Sequence, residues 1–232
     1  KFLKYAEGLA VKYSDYFIAD SIGIQQYLKK EYQVESTYIP YGAKVMKNPD
    51  SNILRKYNLK EYNYDIVIAR MEPENNIEMI LEGYVKSNKE RKIVVVGSLN
   101  TPFGKYISKK YQDEKIIFVG FVSGIEKLDS LRYFSNLYFH GHSVGGTNPS
   151  LLEAMASNSL ICAHDNVFNK SILEKDAFYF NNAEKISRLI NEEMKSLENY
   201  LVKSNLEKIK NLYSWNKIIN DYELFFQKIN NK

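Results

Sequence analysis

The 232-residue sequence predicts an α/β protein built on a doubly wound parallel sheet, and three observations carry that prediction. Short Ile- and Val-rich runs alternate with helical patterns from residue 65 to residue 182. The runs are continuously apolar, as strands covered on both faces must be, where half-solvated strands would alternate with polar residues. Apolar residues make up 44% of the chain and aromatic residues 14%, enough to fill the cores on both sides of such a sheet.

The elements follow in order. The chain opens with KFLKYAEGLAVKYSD, in which Leu3, Ala6, Leu9, Ala10 and Tyr13 recur at helical spacing, followed by a short strand in YFIAD. Ser21 starts a second helix, IGIQQYLKKEY, which leads to a strand in STYIPYG, so residues 1–43 form two αβ units. Residues 44–62 are polar, contain Pro49 and the amphipathic SNILRKYNL, and read as a linker. Residues 63–205 form the main domain. Its strands are DIVIAR, KIVVVGS, KIIFVGF, NLYFHG, SLICAH and AFYFNN, and its helices are NNIEMILEGYVKS, GKYISKKYQ, EKLDSLRYFS, PSLLEAMAS and NKSILEK. The stretch 183–232 is helical throughout, with 206–232 set apart as a terminal helix, and no solenoid repeat is present.

Several function classes are disfavoured. The single cysteine, Cys162, lies in the apolar run SLICAH and reads as a small buried hydrophobe, so no disulfide framework exists within the chain and a reducing compartment is expected. No apolar run approaches the roughly 20 residues that span a bilayer. The net charge is +4, but the lysines are spread along the chain and form no block suited to nucleic acid. No P-loop motif is present. His140 and His142 lack further ligands at metal-binding spacing, so no metal is expected.

In an open parallel sheet a ligand lies beyond the carboxyl ends of the strands. The unusual clusters fall there: Arg70 with MEPENN, Gly97 in GSLNTPFG, Val122 in GFVSG, and HGHSVGGTNP. Asn148 is a good N-cap and Pro149 fits the first helical position, so the N–H groups of Ser150 and Leu151 are expected to be free and to face an anion. Gly145 and Gly146 allow positive φ and close approach of the loop backbone to a ligand; a plain Gly-Gly turn before a capped helix fits as well. Glu153 either holds a vicinal diol or is a solvated helix acid. Arg70 either offers a bidentate fork to a diphosphate or pairs with Glu72 or Glu74. His142 reads as a polar wall of the site, His140 as a satisfied, partly buried histidine, and His164 as able to reach the same cleft.

Three stretches together resemble glycosyltransferase family 4: IADSIGIQQYLKKEYQVESTYIPYGA, IARMEPENNIEMILEGY and GGTNPSLLEAMASN. The resemblance covers nearly the whole chain. It implies the Rossmann-like C-terminal, nucleotide-sugar-binding domain of a GT-B fold, preceded by the tail end of the N-terminal, acceptor-side domain. It further implies that Glu153 holds the ribose and Arg70 neutralises the diphosphate, while the backbone of Gly146, Thr147, Asn148, Ser150 and Leu151 contacts phosphate and sugar. Gly97, Val122, His142, Gly145 and Asn75 complete the implied substrate set. The family's first motif glutamate falls on Gly145, and the lysine usually following the PE pair falls on Asn75.

HGHSVGGTNPSLLEAM resembles a rhamnosyltransferase-type subgroup that builds surface polysaccharides. The implied reaction is metal- and cofactor-independent transfer, with retention, from a nucleotide-diphosphate sugar to a saccharide or lipid-linked acceptor. The implied setting is cytoplasmic, with peripheral contact at the inner membrane face and no nucleic-acid partner. Two other readings compete. A sugar-nucleotide epimerase would need acid and base carboxylates, which the cleft is expected to lack beyond Glu153, and a non-catalytic binding module would follow from lost chemistry at Gly145 and Asn75. The resemblance also implies that Trp215, Tyr222, Leu224 and Phe225 pack on the N-terminal domain, and that these 232 residues are a fragment that binds nucleotide without transferring sugar.

Overall fold

A computed structural model describes residues 2–192, 195 and 198–231. It begins with α1 (Phe2–Tyr13), β1 (Ile18–Ala19), α2 (Ile22–Tyr32) and β2 (Thr37–Tyr38), the two strands pairing in parallel. Ser21 caps α2 as expected, its hydroxyl accepting from the Ile24 N–H at 3.1 Å. After α3 (Asn52–Arg55) come β3 (Tyr64–Ile68), a 3-10 turn (Pro73–Asn75), α4 (Ile77–Lys86), β4 (Lys92–Val96), α5 (Pro102–Lys110), β5 (Ile116–Gly120) and α6 (Ile125–Tyr133). Then follow β6 (Tyr138–His140), α7 (Pro149–Ala156), β7 (Ile161–His164), α8 (Val167–Leu173), β8 (Phe178–Phe180), α9 (Ala183–Glu192), α10 (Asn199–Asn211) and α11 (Trp215–Asn230).

β3 to β8 form one parallel six-stranded sheet in the order β5-β4-β3-β6-β7-β8. The doubly wound α/β prediction holds. Period-two alternation explains why its strands are apolar throughout: Ile66, Val94, Val96, Tyr138, Ile161 and Ala163 enter one core, and Val67, Ile93, Val95, Phe139 and Cys162 enter the other. The first core is closed by Leu131 of α6 and by Leu151, Leu152 and Met155 of α7. The second is closed by Ile77, Ile80 and Leu81 of α4 and by Ile186, Leu189 and Ile190 of α9.

Three sequence expectations change. The linker 44–62 contains the short helix α3, whose Leu54 reaches the first core. The division drawn at 205/206 falls inside α10, and the helical path breaks instead at Leu212–Ser214, where Ser214 caps α11. The stretch 183–232, expected to be helical throughout with 206–232 as its terminal helix, forms three helices among the described residues; its residues 193, 194, 196, 197 and 232 lie outside them. Of the four residues expected to face the N-terminal segment, Trp215 lies over Gly42 and Phe225 meets Tyr16 edge-on at 6.3 Å, while Tyr222 and Leu224 stay exposed.

At the amino ends of the strands, Asp65 is fully buried and accepts from Tyr84 Oη at 2.6 Å, Arg91 Nε at 2.9 Å and Asn136 Nδ2 at 3.0 Å. Arg91 also donates to the Ile190 carbonyl, so one carboxylate ties β3, α4, the start of β6 and the end of α9 together. Removing only the cation strands a buried charge, so Arg91→Met is expected to cost about 3–5 kcal/mol in urea unfolding at pH 7. A loss under about 1 kcal/mol would show that Tyr84 and Asn136 suffice to hold Asp65.

Candidate functional site

The strand order runs outward in opposite directions from the β3/β6 pair, and in such sheets the crevice at the carboxyl ends of that pair is where ligands bind. The loop after β3 carries Arg70 and the loop after β6 carries Gly141 to Asn148. The two loops are tied together: Asn76 Nδ2 donates to the Gly141 carbonyl at 2.7 Å, and Ser143 donates to the Glu74 carbonyl from its N–H at 3.0 Å and its hydroxyl at 2.8 Å. Arg70 is exposed and forms no ion pair among the described residues, so the alternative pairing with Glu72 or Glu74 is not made. Its carbonyl accepts from the Glu72 N–H at 2.9 Å and from Asn75 Nδ2 at 2.8 Å, which pins the turn and leaves the guanidinium toward solvent.

Several of the expected site residues also have structural roles. Asn75 is buried and donates its amide to the Arg70 carbonyl, so it positions the arginine. Gly97 is required by packing, since a Cβ there would lie 2.2 Å from the Ala69 carbonyl oxygen, and its N–H is taken by the Gly120 carbonyl. The side chains of Val122 and Leu151 belong to the first core. Asn148 does cap α7, but its own side chain takes the Ser150 N–H at 2.9 Å and its carbonyl takes the Leu151 N–H at 3.0 Å. The two donors expected to be free are therefore used within the cap. Thr147 is buried and donates to the Asp20 carbonyl.

What the loop leaves open lies one step earlier. Gly145 has φ +113, a region that excludes ordinary side chains, and the N–H groups of Gly145 and Gly146 form no hydrogen bond among the described residues. Asp20, which the sequence reading passed over, faces this loop closely enough that a Cβ on Gly146 would collide with its carboxylate, and burial raises its pKa.

Beneath the loop runs a column of rings. Tyr138 and His140 project from the same face of β6 with centroids 6.3 Å apart, and His140 stacks on His142 at 4.5 Å with 17° between the planes. Both nitrogens of His140, which is 1% exposed, lack a partner, as does Nδ1 of His142. His140 is therefore neither partly buried nor satisfied. Burial, reinforced by His142 and Arg132, pushes the His140 pKa well below its ordinary value. Burial and then Arg70 lower His142 to about 4, against a smaller opposing pull from Glu74. His164 stays at the end of β7, near Asn166 Nδ2 and edge-on to Phe180.

Glu153, on α7, lines a cleft of about 960 Å³ together with Pro149, Ile125, Asp129, Lys44 and Trp215. One of its oxygens accepts from Arg132 Nη2 at 2.6 Å. Arg132, on α6, is 1% exposed, and it also donates to Asp129 at 2.8 Å and to Ser150 Oγ at 3.2 Å. Its guanidinium lies over the Tyr138 ring at 5.9 Å. The sequence held a signal for it in the i, i+3 pair Asp129 and Arg132 beside the apolar Leu131. The cleft also holds Asp50 and Glu126, so it is richer in carboxylates than the sequence suggested. Among the described residues no three His, Cys, Asp or Glu side chains converge as a metal site would require.

An open parallel sheet in this order, with an exposed arginine and unpaired N–H groups at its switch point, defines a Rossmann-type unit. The family described as "Glycosyl transferases group 1" matches residues 50–208, and the chain belongs to that family. Residues 1–44 match a "Domain of unknown function (DUF1972)". No curated protein sequence matches the chain. Among solved structures it is similar to sucrose-phosphate synthase from Thermosynechococcus elongatus, with 17% identity, TM-score 0.81 and coverage of 97% of this chain and 61% of that one. It is also similar to a glycosyltransferase from Rickettsia africae, with 17% identity, TM-score 0.77 and coverage of 98% and 66%. A third is HepE of Anabaena in complex with UDP-glucose, with 13% identity, TM-score 0.82 and coverage of 99% and 67%. These likenesses establish the GT-B type of fold, and the chain spans about two thirds or less of the length of those proteins.

The histidine column makes stability pH-dependent. Both imidazoles have folded pKa values below the unfolded value, so the unfolded chain binds more protons below about pH 6.5 and stability falls as pH drops toward 4. Each histidine contributes a loss of about 1.4 kcal/mol per pH unit in that window. His140→Phe keeps the stacked ring and removes one titrating group, so urea unfolding at pH 7 and pH 5 should show a smaller pH difference than in wild type. An unchanged difference would place the acid sensitivity elsewhere.

Proposed function

We propose that this chain binds a nucleotide-diphosphate sugar at the β3/β6 crevice and serves a glycosyltransferase that passes the sugar to a saccharide or lipid-linked acceptor. The observation that carries the reading is that Arg70 and the open N–H groups of Gly145 and Gly146 stand on the two loops of the β3/β6 switch point in a member of the glycosyl transferases group 1 family, with Glu153 on the helix that follows the glycine loop. The UDP-glucose bound by the similarly folded HepE supports it. Glycosidic cleavage leaves negative charge on the departing diphosphate, so fixed donors at that oxygen lower the barrier. Arg70 supplies a full positive charge there and the glycine loop supplies backbone dipoles. Glu153 accepts from the ribose hydroxyls at the other end of the nucleotide.

The same reading takes transfer to proceed with retention and without a metal ion or cofactor, and it places the reaction in rhamnosyltransferase-type assembly of a surface polysaccharide. It also places the protein in the cytoplasm, in peripheral contact with the inner membrane face. No helix among the described residues is long and apolar enough to cross a membrane.

Glu153→Gln exchanges an acceptor oxygen for a donor and is expected to weaken UDP binding by about ten- to a hundredfold in calorimetry, the worth of one charged hydrogen bond. Unchanged affinity would return Glu153 to the role of a helix acid. Arg70→Ala is expected to weaken UDP by a similar factor while leaving uridine almost unaffected, because the guanidinium meets phosphate alone. Equal weakening of both ligands would show that Arg70 supports the loop and not the diphosphate. Product analysis with a panel of nucleotide sugars and lipid-linked acceptors tests the transfer itself.

A further inference from the structure

We infer that Arg132 is the positioning residue of the nucleotide site: it fixes one oxygen of Glu153 so that the other faces the ribose hydroxyls. The inference rests on the proposed reading that Glu153 meets the ribose. The geometry behind it is specific. Glu153 Oε2 is held at 2.6 Å by Arg132 Nη2, while the glutamate side chain remains 35% exposed at the wall of the cleft. A glutamate on a helix surface otherwise samples several rotamers, and a carboxylate that must grasp a diol loses affinity for each rotamer it has to abandon. Arg132 removes that freedom before the ligand arrives.

Arg132 is itself immobilised. Its Nη1 is bound by Asp129 at 2.8 Å, its Nη2 also reaches Ser150 Oγ at 3.2 Å, and Ser150 Oγ is 2.9 Å from Tyr138 Oη. The guanidinium is sealed beneath the Tyr138 ring at 5.9 Å and is 1% exposed, so it cannot contact a ligand in the cleft and acts only through Glu153. The charge count supports the same role. Asp129 alone would neutralise the buried guanidinium, yet the fork spans both Asp129 and Glu153, which leaves the Asp129–Arg132–Glu153 group with one net negative charge at the cleft wall, matched to hydroxyl donors.

The test compares wild type, Arg132→Met, Arg132→Lys and Glu153→Gln, each binding UDP and GDP and the 2′,3′-dideoxy analogue of each. Circular dichroism and thermal unfolding without ligand establish that each variant is folded. Wild type is expected to prefer the hydroxyl-bearing form of its nucleotide by about tenfold or more. Arg132→Met should lose most of that preference while binding the dideoxy analogue almost as wild type does, and Arg132→Lys, which keeps one charged donor, should recover part of it. A merely structural arginine would weaken both forms equally, and that result would overturn the inference. If wild type and Glu153→Gln discriminate differently but Arg132→Met discriminates as wild type, the inference fails alone. If wild type itself shows no preference or binds none of the nucleotides, the ribose contact of Glu153 fails, and the inference falls with it.

Discussion

The reversal of strand order between β3 and β6 is the constraint on which the site depends. Because β3 passes to α4 on one face of the sheet and β6 passes to α7 on the other, their loops leave in opposite directions and a crevice opens between them. Arg70 stands on one lip and the Gly145–Gly146 loop on the other. The lips do not float: Asn76 to Gly141 and Ser143 to Glu74 join them across the gap, and Asn75 holds the Arg70 turn from beneath. The crevice thus has a fixed width before any ligand arrives, which lowers the ordering cost of binding.

A second feature is electrostatic. Arg132, Tyr138, His140 and His142 form a continuous stack under the loop, with Arg70 near its far end. A stack of neutral rings between two guanidinium groups cannot accept a third positive charge, and burial already disfavours it, so both imidazoles remain neutral. The cost is visible in the His140 nitrogens that lack any partner. Glu153 and Asp129 meet one end of the positive charge, while Arg70 at the other end is unpaired among the described residues.

How much of this was legible depended on the range of the interaction. The strands could be read because Ile66, Val67 and Val94 need only the local period to declare two buried faces. The Asn148 and Ser21 caps could be read because the acceptor and the N–H it takes are neighbours in sequence. The structural partners of Asn75, Gly97 and Thr147, which are Arg70, Ala69 and Asp20, could not be read, because chain geometry sets them and sequence spacing does not reveal it. The Ser150 and Leu151 N–H groups illustrate a different failure: a capping residue that is strong enough to start a helix also consumes the donors that would otherwise bind an anion. Arg132 was missed for a third reason, since its two acids lie on two helices and only Asp129 is close in sequence.

The N-terminal segment is part of the site and not an appendage to it. Asp20, at the end of β1, lies against Gly146 and accepts from Thr147, while Gly42 underlies Trp215 and Ala43 bridges to Ser214 beside it. Residues 41–48 and Trp215 then form one wall of the cleft, opposite Glu153 and the start of α6. The sheet supplies the floor and its loops supply the charge, but enclosure comes from chain on either side of the Rossmann-type unit. The Asp20 carboxylate lies where a Cβ on Gly146 would stand, and burial raises its pKa. On the proposed reading the phosphates of the nucleotide meet Arg70 and the glycine loop, and its ribose hydroxyls meet Glu153 on the wall that these flanking segments enclose.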